Sequence, residues 1–288
     1  MKKRIFRAFS LLIAASVLLC LTACGKKEEE KKTPKKFNTI SEIILAYEDV
    51  SDVKVSLLEV MKMPKKIDGK SWHVQGGTND GTYGYFALND GGSTGKSVTR
   101  IYKFNLRNWE VEKISGDLFL GHANDITYMP ETHQLIVNWC ENPAENASIV
   151  DADTLEIVED ITYPRKHVNM SYSPEREQYV FGGWGQNISV YDKQLNHIRT
   201  FNEMSAQAQQ GMTSDEKLIY FLYSSATKNQ KGIITVHDWD GNFIGEIEFP
   251  TSFESENISI YGKSMILAMN DHHDEKMIIF YQLTFQEP

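Results

Sequence analysis

The sequence predicts an all-β fold, a ring of five four-stranded sheets, on three observations: a repeat with a period in the forties, hairpins inside each repeat, and an unpartnered strand left over at each end of the repeat region. Five segments begin with a polar cluster, run into a short strand, turn, and enter a second strand. Gln75-Gly76-Gly77-Thr78-Asn79-Asp80-Gly81 leads into Tyr85-Phe86-Ala87-Leu88, and His122-Ala123-Asn124-Asp125-Ile126-Thr127-Tyr128 into Leu135-Ile136-Val137. His167-Val168-Asn169-Met170-Ser171-Tyr172 leads into Tyr179-Val180-Phe181, and Gln210-Gly211-Met212-Thr213-Ser214-Asp215 into Leu218-Ile219-Tyr220-Phe221-Leu222. Glu256-Asn257-Ile258-Ser259-Ile260 leads into Met265-Ile266-Leu267. The equivalent positions Gly77, Ile126, Met170, Met212 and Ile258 are 49, 44, 42 and 46 residues apart. Periods of this length, all strand and turn, are those of a five-bladed β-propeller.

The second halves of the units agree. Arg100-Ile101-Tyr102-Lys103-Phe104-Asn105 alternates, turns, and returns as Trp109-Glu110-Val111-Glu112-Lys113-Ile114. Ser148-Ile149-Val150-Asp151, Ser189-Val190-Tyr191-Asp192 and Thr235-Val236-His237-Asp238 do the same before their own turns. Period-two alternation broken by Asn, Asp and Gly marks hairpins with one buried face.

The fifth unit ends after its third strand, Met277-Ile278-Ile279-Phe280-Tyr281, while Val53-Lys54-Val55-Ser56-Leu57-Leu58-Glu59-Val60 precedes the first polar cluster. The expectation is ring closure, with residues 53–61 completing the last blade and leaving no open joint. Residues 38–52 stay unassigned: Ser41-Glu42-Ile43-Ile44-Leu45-Ala46-Tyr47 reads as a short helix or a strand, and a six-bladed ring is the alternative.

Gly121-His122 and Trp239-Asp240 are dipeptides of WD40 repeats, although they lie in different units and never recur. The pattern over residues 53–286 resembles the YVTN-type and other divergent bacterial propellers, some found on Gram-positive surfaces. That resemblance implies the fold and says little about chemistry, because propellers host many functions.

The chain opens Met1-Lys2-Lys3-Arg4, with Arg7 following, then runs apolar from Ala8 to Leu21. Fourteen residues are too few for a hydrocarbon core that needs about 20, so the layout is that of a secretory signal. Leu21-Thr22-Ala23-Cys24, followed by Gly25, resembles the lipobox of bacterial lipoproteins. The resemblance implies cleavage before Cys24, a diacylglycerol on its thiol and often a further acyl chain such as palmitate. Residues 1–23 are then the signal peptide and 24–37 a lipidated, flexible Lys/Glu tether, with no apolar side chain from Lys26 to Lys36. Residues 38–288 form the folded domain. The expected location is the extracytoplasmic face of a cell membrane, held by lipid.

The formal net charge is −9; with +4 in the signal and +3 in the tether (six Lys, three Glu), the remaining −16 falls on residues 38–288. An acidic body argues against nucleic acid, whose phosphates demand a positive face. Of three cysteines, Cys20 leaves with the signal and Cys24 takes lipid, so Cys140 is expected as a small buried hydrophobe.

The first strand of each propeller blade lines the central channel, and residues at its start face one mouth. Here these are Gln75, His122, Asn124, Asp125, His167, Asn169, Gln210, Glu256 and Asn257, a candidate ligand-binding ring. Three uses compete. The amides and carboxylates hydrogen-bond the exposed backbone at the mouth and bind only water; or they read a small polar ligand such as a cell-wall glycan or peptide; or the ring is a metal-dependent hydrolase or lactonase. In the last case Asp125, Glu256, Asn124 and Asn169 offer hard oxygen ligands to Ca²⁺, and His122 or His167 serves as base. No resident cofactor is otherwise expected, and no catalytic residue is assigned.

Other chemical signals are weak. Gly92-Ser93-Thr94-Gly95-Lys96-Ser97 ends in Gly-Lys-Ser without the first glycine of a phosphate loop, and sits in a hairpin. His272-His273-Asp274-Glu275 reads as a solvated turn. Trp72, Trp109, Trp139, Trp184 and Trp239 are expected mostly as packing between blades, with Trp139 and Trp184 an alternative sugar-stacking face. The reading is a lipid-anchored binding or protein-interaction module, with the hydrolase as alternative.

Overall fold

Thr39-Ile40-Ser41-Glu42 decides the unassigned segment: Glu42 N donates to Thr39 Oγ1 at 3.2 Å, and Asn38 N donates to Glu42 Oε2 at 2.7 Å. This reciprocal cap starts a short helix, α1 (Ile40–Ile44), followed by a 3-10 turn at Val50–Asp52. The computed structural model describes residues 36–91, 97–140, 144–183, 187–202, 209–224, 231–271 and 276–288. The signal, Cys24, the tether up to residue 35, residues 92–96, Trp184 and the 272–275 turn lie outside the described residues.

Beyond α1 the domain is strand and turn. β1 (Val55–Pro64) comes first, then a small hairpin of β2 (Lys66–Ile67) and β3 (Lys70–Ser71). Blade 1 is β4 (His73–Asn79), β5 (Tyr83–Asn89), β6 (Thr99–Asn105) and β7 (Glu110–Ile114). Blade 2 is β8 (Asp125–Met129), β9 (Gln134–Asn138), β10 (Asn146–Asp151) and β11 (Ile157–Thr162). Blade 3 is β12 (Asn169–Ser173), β13 (Gln178–Gly182), β14 (Asn187–Asp192) and β15 (His197–Asn202). Blade 4 is β16 (Gln209–Ser214), β17 (Leu218–Tyr223), β18 (Gly232–Asp238) and β19 (Phe243–Phe249). Blade 5 is β20 (Glu254–Tyr261), β21 (Ser264–Asn270) and β22 (Met277–Phe285), completed by β1 as its outer strand.

The inner strands β4, β8, β12, β16 and β20 stand side by side, and β20 meets β4 to close the ring. Five blades, not six, are present. The antiparallel β1–β22 ladder runs from Val55↔Phe285 to Pro64↔Met277, slightly longer than the sequence expectation. The 38–52 segment adds no strand. Its apolar face instead joins the core of blades 4 and 5, where Ile40, Ile43, Ile44 and Val50 pack with Ile247, Phe249 and Leu283.

Burial follows radius. Every residue of β17 and β21 is buried, because these strands have blades on both faces and so read as continuous apolar runs. Every residue of the outer strand β7 is exposed. Aromatic rings fill the wedge between blades 5 and 1, where Phe86 and Phe280 meet edge-on at 4.8 Å. Third strands end in an acceptor that caps the turn: Asp151 takes the amides of Asp153 and Thr154, and Asp238 those of Asp240 and Asn242. Trp72 and Trp239 are buried as expected of packing, with Arg100 and Arg176 over their faces. Cys140 departs from expectation: it is partly exposed at φ +53, just past β9 rather than in the core.

Candidate functional site

The inner strands supply the site, and their repeat has an internal order that the alignment on Gly77, Ile126, Met170, Met212 and Ile258 reveals once the strands stand in a ring. Two residues earlier come Gln75, Asn124, Val168, Gln210 and Glu256; one earlier, Gly76, Asp125, Asn169, Gly211 and Asn257; one later, Thr78, Thr127, Ser171, Thr213 and Ser259. Each set is one layer across the channel. The side chains of the second and fourth layers reach toward the following blade, as the bonds below show.

The first layer forms the leading mouth. Gln75, Asn124, Gln210 and Glu256 line a recess of ≈ 310 Å³ together with His73, Asn89, His122 and Glu254. Backbone irregularity places three of them. The β4–β5 register breaks between Val74 and Gly77, β16–β17 between Gln209 and Gly211, and β20–β21 between Ser255 and Asn257. Gln75, Gln210 and Glu256 therefore sit on bulges, where an extra residue re-aims its side chain. Blades 2 and 3 pair without such a break in their inner ladders.

The mouth is electrostatically loaded. Gln210 Nε2 donates to Glu254 Oε1 at 3.4 Å, and Asn270 Nδ2 donates to Glu256 Oε1 at 3.0 Å. Burial, reinforced by the neighbouring Glu254 carboxylate, raises the Glu256 carboxyl well above the usual range. Burial lowers the Lys65 ammonium to about 8, against the opposing pull of Glu254, Glu256 and Asp271. Three acidic groups thus surround one amine next to the recess.

The second layer plugs the channel. Asp125, Asn169 and Asn257 are all 0% exposed and form no part of the recess wall. Each rivets one seam: Met170 N donates to Asp125 Oδ2 at 3.3 Å, Asn169 Nδ2 donates to Gln210 O at 2.8 Å, and Asn257 Nδ2 donates to Gly77 O. The other two seams are closed by approach of backbone. A Cβ on Gly76 would lie 2.4 Å from Asp125 Cα, and one on Gly211 would lie 3.2 Å from Asn257 Cα. Asp125 is held by amides, Met170, Ile126 and Met212 among them, but burial dominates and raises its carboxyl well above the usual range.

His167 lies outside the recess. It is 0% exposed, with Nδ1 3.1 Å from Arg165 O, Nε2 3.1 Å from Asn138 Oδ1, and its ring edge-on to Tyr163 and Phe181. Burial lowers it to about 4, so at neutral pH it is an uncharged spacer between blades 2 and 3. His122 is exposed at the recess wall. Of the nine sequence-predicted residues, Gln75, His122, Asn124, Gln210 and Glu256 meet in one recess, while Asp125, His167, Asn169 and Asn257 hold blades together. Among the described residues no three His, Cys, Asp or Glu side chains are placed to share a metal ion.

The fourth layer, at the trailing mouth, was not singled out by sequence. Its five hydroxyls line a second recess of ≈ 170 Å³. Much of their capacity is spent within the ring: Thr127 Oγ1 donates to Met170 O, Ser171 bonds Ser214, and Asn79 Nδ2 donates to Ser259 Oγ. The recurring [Asp/Asn/Gly]-x-[Ser/Thr] triplet was its signal. His73, Glu254 and Lys65 were missed because strand ends and loops carry no repeat.

No protein-family profile matches the chain, and no curated protein matches it. Solved structures do. The chain is similar to the tail fiber of Staphylococcus aureus phage P68, with TM-score 0.61 and 14% identity over 86% of this chain and 55% of the fiber chain. It spans only about half of that fiber. A member of the DUF4221 family from Bacteroides vulgatus is similar with TM-score 0.50 and 12% identity, over 81% of this chain and 99% of that one. The likeness is one of fold.

Proposed function

We propose that this chain is a lipid-anchored, extracytoplasmic binding module whose leading mouth takes a small polar ligand of the cell surface, a glycan or a peptide. The observation that carries the reading is the bulge pattern. Three blades interrupt their inner ladders at Gln75, Gln210 and Glu256, the residues that then share one recess with Asn124. A bulge sacrifices ladder pairing, and blades 2 and 3 show that this ring closes without one there. The recess mixes amide donors with carboxylate acceptors, which suits hydroxyls and amines and disfavours phosphate. A fold shared with part of a phage tail fiber fits an interaction module. The lipid anchor rests on Leu21-Thr22-Ala23-Cys24.

Two measurements test the halves separately. Binding of the full chain to arrays of cell-wall glycans and peptides is expected, with Asn124→Ala plus Gln210→Ala weakening it at least about tenfold, the equivalent of about 1.4 kcal/mol. Binding that survives the double change removes the mouth as the site. Mass spectrometry of the mature protein is expected to find an acylated Cys24 at the new amino terminus, and Cys24→Ala to release the chain from the membrane. A Cys24→Ala chain that stays membrane-bound defeats the anchor.

A further inference from the structure

The leading mouth carries hydrogen-bonding groups that the ring leaves unspent. Gln75 and Asn124 line the recess at 6% and 9% exposure, and among the described residues neither side chain makes a hydrogen bond. Burying an amide without a partner is costly, so these two are set for a group that comes from outside the chain. The same wall holds Glu254 and Glu256, two residues apart on β20, with their carboxyls within hydrogen-bonding reach of one another. Among the described residues the wall has no lysine or arginine. Lys65, 4% exposed and not part of the wall, is shared by Glu254, Glu256 and Asp271, and burial disfavours its charge. One amine for three acids leaves the mouth short of positive charge.

A metal ion does not fit that shortage, since among the described residues no three His, Cys, Asp or Glu side chains are placed to share one. A hydroxyl would bring one donor and no charge. An ammonium brings one positive charge and three donors, enough for both carboxyls and one amide oxygen. We infer that the leading recess is selective for amines: Glu254 and Glu256 hold the primary ammonium of the ligand, and the Gln75 and Asn124 amides bond the polar groups beside it. This rests on the leading mouth being the binding site, and narrows its ligand from any small polar molecule to one with a free primary amine. The recess, at ≈ 310 Å³, lies at the lower end of the range of ligand pockets, about 300–1,000 Å³, and suits a single sugar ring or amino acid. The acidic body of the domain draws such a cation toward it. An amino sugar and the free amino terminus of a peptide offer the same ammonium, and the test separates them.

The test is calorimetric titration of the full chain near pH 7 with two matched pairs of probes: glucosamine against N-acetylglucosamine, and alanyl-alanine against N-acetyl-alanyl-alanine. In at least one pair the free amine is expected to bind at least about tenfold more tightly than its acetylated partner, and that pair names the source. Glu254→Gln is expected to reduce the preference to less than about twofold, and Glu256→Gln to repeat the loss should the first variant not fold. Equal affinity within both pairs overturns the amine inference, as does a preference that survives both glutamine variants or no binding of any of the four probes. If the probes bind without preference and Asn124→Ala plus Gln210→Ala abolishes that binding, the mouth stands as the site and only the amine is lost. Binding that survives the Asn124 and Gln210 change overturns the mouth and the amine together.

Discussion

Two layers of the same five strands, three residues apart, are built by different rules. The trailing layer is uniform: Thr78, Thr127, Ser171, Thr213 and Ser259 repeat one small hydroxyl, and several of them bond across to a neighbouring blade. The leading layer is uneven: Gln75, Asn124, Val168, Gln210 and Glu256 differ in size and charge, and three of them ride on bulges. A position repeated around the ring serves what every blade needs, which is a seam to the next one. A position that departs from the repeat in side chain and in backbone serves something outside the ring. Between the two lies the plug, which mixes both rules with three side-chain rivets and two glycines.

The comparison breaks first at the glycines. Gly76→Ala is expected to cost about 3 kcal/mol or more and to abolish a cooperative melt, because its Cβ would overlap the Asp125 backbone at 2.4 Å. Gly211→Ala, with 3.2 Å to its nearest neighbour, is expected to cost only about 1 kcal/mol. Equal losses at the two sites would refute the distinction between the seams.

Acid provides the next test. The folded His167 sits at about 4 against an ordinary 6.5, so the unfolded chain takes up this proton first. Its contribution is constant above pH 6.5, and stability falls as pH drops from 6.5 to 4, by up to about 3 kcal/mol. Asp125 and Glu256, raised by burial, slope the opposite way. In denaturant melts at pH 7 and pH 4.5, His167→Gln is expected to lose less stability on acidification than the wild type. An identical acid slope would mean that His167 is not sealed.

Smaller effects separate the layers. Asn257→Ala leaves the Gly77 carbonyl without its rivet and is expected to cost about 1–3 kcal/mol. Gln210→Ala, at the partly exposed mouth, is expected to change stability by no more than about 0.5 kcal/mol while weakening ligand binding. A Gln210→Ala chain destabilised like Asn257→Ala would assign the leading layer to the ring after all.

Much of this was legible in the sequence. The aligned positions from Gly77 to Ile258 fall on all five inner strands, and the two leftover strands do pair, although the ladder joins Val55–Pro64 to Met277–Phe285 and leaves Val53 and Lys54 outside it. Five of the nine mouth residues share a recess. Legibility failed where neighbours alternate sides. Asn124 and Asp125 are adjacent in sequence and both polar, yet one lines the leading recess and the other is sealed in the plug. A bulge inserts one residue without any composition of its own, so Gln210 and Glu256 gave no hint of being re-aimed. His167 looked like a mouth residue because the rings that enclose it, Tyr163 and Phe181, come from the loop before it and the strand after it. For 38–52 the capping pair Thr39 and Glu42 was in plain view, but five helical residues make too short a periodic run to settle the matter.

Closure of blade 5 by β1 and β22 also sets a timetable. Val55 and Phe285 are partners 230 positions apart, so β1 must wait for β22 before blade 5 can be completed. Until then a nascent chain carries ten residues of bare strand edge at one end and an open groove at the other, the arrangement most prone to pairing with a neighbour's chain. Losing β22 would therefore leave β1 and β21 as two adhesive edges rather than a slightly shorter blade.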